Sequence, residues 1–280
     1  MGPEGRGDRS IEIVVCMKVI IDPEVPYHTF AIDRDAKRAL PPVGLPPVFS
    51  PFDENALECA LRIKDARQCR VTVLSVGKAV PKSLMQTVMA AGADRAIAVE
   101  GPQLDGLDPF STAAVLAVSI KKAGEFDLVL TGRQAADWDA GLVWAGLAEH
   151  LDVACVIVAQ KVEPRDGRLI VERCVSDGVE IVEAELPALV TVSNEAGELR
   201  NVALAALMEA RKREIVRWSA TDVGFEELGG PAGSVMELAD LSLPMLEIVD
   251  RRMIEGEDAR EKGRRLARLL AEEGVLGEVD

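Results

Sequence analysis

Apolar residues recur along this chain at two spacings, which alternate. Ile11 to Ile20 (IEIVVCMKVI) is short, β-branched and nearly continuously apolar, the pattern of a strand covered on both faces. HTFAIDRDAKRAL, from His28 to Leu40, alternates about an Arg-Asp turn and predicts a hairpin-like excursion. PPVGLPPV, with four prolines in eight residues, supports neither helix nor central strand and reads as a rigid connector. Ser50-Pro51-Phe52-Asp53 then opens a helix. Serine can cap, proline suits the first helical position, Asp53 completes a capping-box-like pattern, and Ala56, Leu57, Ala60 and Leu61 follow at helical spacing. Strand Arg70 to Val76 ends at Gly77, Pro81 to Ala91 reads as helix, and Ala96 to Val99 as strand. Asp108-Pro109 starts a helix running to about Lys122, and Phe126 to Thr131 (FDLVLT) is a strand. A polar loop then leads to a helix from about Asp139 to Leu151.

Strand and helix alternating in this way predict a mainly parallel sheet wrapped by helices. After residue 153 the grammar changes. ACVIVAQKVE, the Asp166-Gly167 turn, RLIVERCV, VEIVEAEL and ALVTVS are successive strands with short turns, so the second half is expected to be largely antiparallel. A helix around Ala203 to Arg211 and a strand Glu214 to Trp218 close the unit. The expected fold class is α/β, with a tail over residues 1–10, a body over 11–224 and a C-terminal arm over 225–280. The arm holds 14 acidic and 7 basic residues, a net charge of −7. Its last helix is capped by Asp258, with Glu261 at the third position and Ala259, Gly263, Leu266, Ala267 and Leu270 along one side. Such a helix docks either on its own body or on a second chain.

Charge narrows the possible partners. The 32 basic and 47 acidic residues leave −15, and aromatic residues make up only 4%. A nucleic-acid backbone or an acidic membrane surface would repel this chain, and stacking platforms for bases are scarce. The longest purely apolar runs, Val153 to Ala159 among them, are far short of the ~18–20 residues of a membrane span. The first ten residues carry no signal-like apolar region. Five cysteines without a C-x-x-C read as reduced thiols of a cytoplasmic protein rather than a disulfide framework or a zinc site.

Ligands of open parallel sheets bind beyond the carboxyl ends of strands, near helix starts. Four segments qualify: Cys16-Met17-Lys18, Ser50 to Asp53, Val76-Gly77, and Arg133 to Ala145. The last joins a strand to a helix through GRQAADWDAG, whose amides could cradle a phosphate or simply cap the helix. Gly132 and Gly141 would let main chain approach a ligand closely. Neither G-x-G-x-x-G nor a P-loop is present, no nucleophile motif is found, and His28 and His150 read as structural. The chain lacks acid–base machinery, which points to a protein that holds a ligand or another carrier.

Taken in order, VVCMK, SPFDENALECALRIKD, VTVLSVG, AAGADRAIAV, FDLVLTGRQAADWDAG, ELPALVTVSNE and IEGEDAREKGRRLARLLAEEGVL resemble the β subunit of electron-transfer flavoprotein over residues 11–275. The resemblance implies a Rossmann-like adenine-nucleotide-binding fold. It also implies a heterodimer with an α subunit that carries the redox FAD, an arm that docks on that subunit, and AMP or a second FAD on this chain. A dehydrogenase would be the electron donor. By resemblance the ligand contacts fall on Cys16, on Ser50, Pro51, Phe52 and Asp53, on Val76, and on Gln134, Ala135, Ala136, Asp137, Trp138, Asp139, Ala140, Gly141, Leu142, Val143, Trp144 and Ala145. Partner recognition falls on Asn194, Glu195, Ala196, Gly197, Glu198, Leu199 and Arg200.

Two departures stand out. The family usually has a polar residue and a glycine where this chain has Leu142 and Trp144, so either the phosphate contact is rearranged or indole partly fills the pocket. Trp138 either stacks on an adenine or flavin ring or has a packing role. In the partner loop Ala196 stands where the family carries a leucine, and Leu199 and Asn201 replace a proline and a tyrosine. That substitution implies a different dehydrogenase or a different docking. Two other readings remain open: a stand-alone adenine-nucleotide-binding regulator or hydrolase, and a member that has lost its nucleotide.

Overall fold

This computed structural model describes residues 10–26, 29–243 and 252–275. The expected tail before Ser10 and His28 of the excursion lie outside them. In chain order the strands and helices of the first half are β1 (Ile11–Cys16), β2 (Val19–Ile20), β3 (Ala31–Asp33), β4 (Arg38–Leu40), β5 (Val48–Phe49), α1 (Pro51–Ala66), β6 (Cys69–Gly77), α2 (Lys82–Ala91), β7 (Arg95–Glu100), α3 (Pro109–Ala123), β8 (Leu128–Gly132) and α4 (Val143–Leu151). Then come β9 (Ala154–Arg165), β10 (Arg168–Val175), β11 (Gly178–Glu185), β12 (Ala188–Val192), α5 (Leu204–Ala210), β13 (Val216–Ser219) and α6 (Ala259–Glu272).

Among the described residues the main sheet has nine strands in the order β11-β10-β9-β12-β8-β1-β6-β7-β13. Seven of them, β9-β12-β8-β1-β6-β7-β13, are parallel neighbours, and only β9-β10 and β10-β11 pair antiparallel. The second half is therefore less antiparallel than its short turns predict. The chain leaves the β9–β11 meander and inserts β12 between β8 and β9, parallel to both. β3 and β4 form the hairpin expected of the excursion.

Alternation along the central strands explains why both faces are covered. Ile13 and Val15 point into one apolar layer with Leu57, Ala60 and Leu61 of α1 and Met85, Val88 and Met89 of α2. Val14 and Cys16 point into the other, with Val115, Leu116 and Ile120 of α3 and Leu147 and Leu151 of α4. Asp108 caps α3 as its sequence predicts, its Oδ1 accepting the Ser111 amide at 2.7 Å.

The chain divides into two compact units, the first ending at Leu241 and the second starting at Ser242. Phe225, where composition sets the start of the arm, is buried in the second apolar layer with Ala220 and Val223. In the second unit Asp258 caps α6 through the Glu261 amide at 2.7 Å, and Glu261 reaches back to the Glu257 amide at 2.9 Å.

Candidate ligand site at the carboxyl edge of the sheet

The ends of β1 and β8 and the start of α1 meet at one carboxylate. Asp53 is buried, and its two oxygens accept the amides of Lys18 at 2.8 Å and Gly132 at 3.0 Å. Burial pushes its pKa up to about 7, against the pull of these two amides and the Lys18 charge. The capping box expected at Ser50 does not form, because both of its members are engaged elsewhere. Ser50 occupies the cap position without a side-chain cap, and its Oγ instead accepts the Ala136 amide at 3.3 Å. Its own amide donates to the Lys18 carbonyl at 2.9 Å.

Gly132 is needed for this closure. A Cβ there would lie 2.7 Å from Asp53 Oδ1 and 2.7 Å from the Phe52 carbonyl carbon. Gly141 has a different need: its φ is +58°, in the left-handed region.

The loop from Arg133 to Leu142 is pinned at several points. Lys18 Nζ holds both Asp137 oxygens, at 2.9 and 2.7 Å. Within the loop, Gln134 Nε2 donates to Asp139 Oδ1 at 2.8 Å and the Asp139 amide donates to the Ala135 carbonyl at 2.9 Å. The Arg133 guanidinium lies over the Phe52 ring, 5.0 Å from its centre, and its Nε is buried without a hydrogen-bond partner. The helix predicted from about Asp139 begins only at Val143, since Asp139 (φ +49°) and Gly141 keep the chain out of helical geometry.

At the start of α4, Leu142 occupies the cap position and offers no side-chain oxygen. The amides of Val143 and Trp144 donate to no protein acceptor among the described residues. Val143 and Trp144 pack half-buried against the second apolar layer, while Trp138 and Leu142 are exposed. Buried hydroxyls of Ser75 and Thr131, near the carboxyl ends of β6 and β8, also lack partners.

Direct contacts thus bring together Ser50, Asp53, Ala136 and Asp137, with Pro51 at the first helical position of α1. Val76, Ala140 and Ala145 take no part in them. Cys16 is buried beside Asp53, and burial, then the Asp53 charge, raises its thiol far above the usual range, so it is not a thiolate. Lys18 and Arg133 lie in the segments picked out at the strand ends, although the resemblance did not name them among the ligand contacts. A lysine directly after an apolar strand and an arginine directly after the glycine that ends another were the available signals.

A second cluster fixes residues 194–200 to α1. Arg200 donates from its amide, Nε and Nη2 to the buried carboxylate of Glu58 at 3.0–3.1 Å, and from Nη2 to Asp65 at 2.8 Å. Arg62 donates to the Ala196 carbonyl at 2.6 Å and Asn55 to the Gly197 carbonyl at 2.7 Å. Burial alone would raise Glu58, but the bonds from Arg200 and Arg62 outweigh it and hold the carboxyl below its usual range. Ala196 is buried against the body's own core and Leu199 packs on it, so the outward side chains are Asn194, Glu195 and Glu198.

Comparison with known proteins gives concordant results. The family model described as the electron transfer flavoprotein domain matches residues 44–223. An electron transfer flavoprotein subunit beta of Clostridium acetobutylicum is 34% identical over 218 residues, covering 78% of this chain and 82% of the relative. The caffeyl-CoA reductase-Etf complex subunit CarD of Acetobacterium woodii is 33% identical, with 76% and 80% covered. Protein FixA of Azorhizobium caulinodans is 32% identical, with 78% of each covered.

Proposed function

The chain belongs to the electron-transfer flavoprotein β-subunit family, and from that premise we propose that it pairs with an α subunit and binds an adenine nucleotide, AMP or a second FAD, at the carboxyl edge of its sheet. The observation that carries the nucleotide reading is the bare start of α4. Two amides without acceptors, at the positive end of a helix dipole and behind a pinned loop, suit a phosphate oxygen. The orphaned hydroxyl of Thr131, near the end of β8 and on the face of the sheet that carries α4, is a further group a bound ligand could satisfy. The negative charge of Asp137, which would oppose a phosphate, is paired by Lys18.

The flavin on the partner subunit, when bound, supplies the electron-carrying chemistry. This chain's residues do the positioning. Lys18 and Ser50 hold the loop from Arg133 to Leu142 in place, and Asp53 and Gly132 lock that loop's strand to the first turn of α1. No proton transfer is assigned to any of them. A dehydrogenase donor would meet residues 194–200, and because Ala196 faces inward the contact relies on the exposed polar positions beside it. All five cysteines are free, which supports a reducing, cytoplasmic setting. No helix among the described residues is long and apolar enough to cross a membrane.

The test is to co-express the two subunits, denature the purified complex and identify the small molecules released. We expect FAD together with AMP, or two FAD per heterodimer. A complex that releases a single FAD and nothing else refutes the nucleotide reading, and a chain that purifies colourless and alone refutes the pairing.

A further inference from the structure

Asp108 does more than cap α3. Its Oδ1 takes the Ser111 amide, while its Oδ2 accepts the amides of Val235 at 2.8 Å and Met236 at 3.0 Å, far along the chain. Burial alone would raise this carboxyl, yet the bonds it accepts keep it below the usual range. Two residues beyond Met236, the Leu238 carbonyl accepts Lys37 Nζ at 2.7 Å, and Glu237 lies 3.5 Å from the same ammonium. Lys37 sits in the turn between β3 and β4, and that hairpin is itself tied down by Arg38, which shares Asp105 with Lys78. Residues 235–238 are thus held through their backbone, while the side chains of Val235 and Met236 stay 69% and 50% exposed.

We propose that Asp108 and Lys37 form a staple that orders residues 235–238, the stretch just before the second unit begins, in advance of α-subunit binding. The proposal rests on the reading that the C-terminal unit docks on that subunit. A linker with no such duty has little use for a buried carboxylate whose second oxygen is given over to it. Without the staple the free tether ahead of α6 lengthens by only a few residues, a cost of less than about twofold in affinity. The larger loss comes from ordering those residues afresh on binding.

The experiment titrates the full-length chain with the α subunit. Asp108→Ser keeps an acceptor for the Ser111 amide but removes the oxygen that holds Val235 and Met236. Lys37→Ala removes the other half from an exposed turn and serves should the first variant fold poorly. We expect each to weaken the heterodimer about fivefold or more and to speed amide exchange at Val235 and Met236, the two amides the staple protects, with Ser111 still protected in Asp108→Ser. Faster exchange with affinity within twofold of wild type overturns the proposal, as does unchanged exchange. Leu266→Asp on α6 separates the two claims, since unchanged affinity in that variant overturns the docking reading instead.

Discussion

Replacing Gly132 with alanine tests whether the end of β8 and the start of α1 are as tightly closed as the geometry indicates. The added Cβ would stand 2.7 Å from Asp53 Oδ1, 2.7 Å from the Phe52 carbonyl carbon and 2.8 Å from Phe52 Cβ. Carbon atoms prefer ~3.5–4.0 Å, so roughly an ångström must open. Two of these neighbours are main chain or Cβ and cannot rotate away. Overpacking of this kind costs ~1–3 kcal/mol. Separation also takes the Gly132 amide from its carboxylate at a further ~1–3 kcal/mol, against a gain of under ~1 kcal/mol from a stiffer unfolded chain. The expected net loss is about 3 kcal/mol. With an m-value near ~3 kcal/mol/M for a chain of this size, the urea midpoint should fall by about 1 M with m unchanged. Gly77→Ala is the control: nothing lies within 4 Å of its Cβ, and the change should stay within ~0.5 kcal/mol. A Gly132→Ala midpoint within about 0.2 M of wild type would refute the close approach, and with it the Asp53 clip.

The clip also has a pH signature. Asp53 titrates near 7 when folded against 3.8 for an ordinary aspartate, so the folded state holds its proton more tightly. Its charge is therefore unfavourable above about pH 7, and the penalty disappears as pH falls toward 4. Wild-type stability minus that of Asp53→Asn should decline as pH rises from about 4 to 7 and level off above; a difference independent of pH rules this out. In the second cluster, Arg200→Met leaves the buried Glu58 with only Arg62 and one amide, at an expected cost of ~2 kcal/mol and with faster amide exchange in residues 194–200. Arg168→Met, at the exposed pair with Glu183, should leave stability close to wild type. Equal losses in the two variants would contradict the buried network.

What the sequence disclosed depended on the range of the interaction. The Asp108 cap, the β3–β4 hairpin and the two-faced central strands are local patterns, and each appears where spacing placed it. The insertion of β12 between β8 and β9 is not local, because alternation names a strand's faces and not its neighbours. Ser50 lost its capping role to an amide 86 positions away, a competition no motif encodes. The late start of α4 was partly legible, since Gly141 marked a break within the expected helix. The site loops, with Lys18 and Arg133 in them, were found from the rule about strand ends, whereas the pairing of these two side chains with partners more than 75 positions away was not.

Helix α1 spans both clusters. Its first turn carries Phe52 and Asp53 against the strand ends, and farther along the same 16-residue rod Asn55, Glu58, Arg62 and Asp65 grip the segment ending at Arg200. Whatever presses on the surface at residues 194–200 therefore bears on the same helix that seats the strand ends.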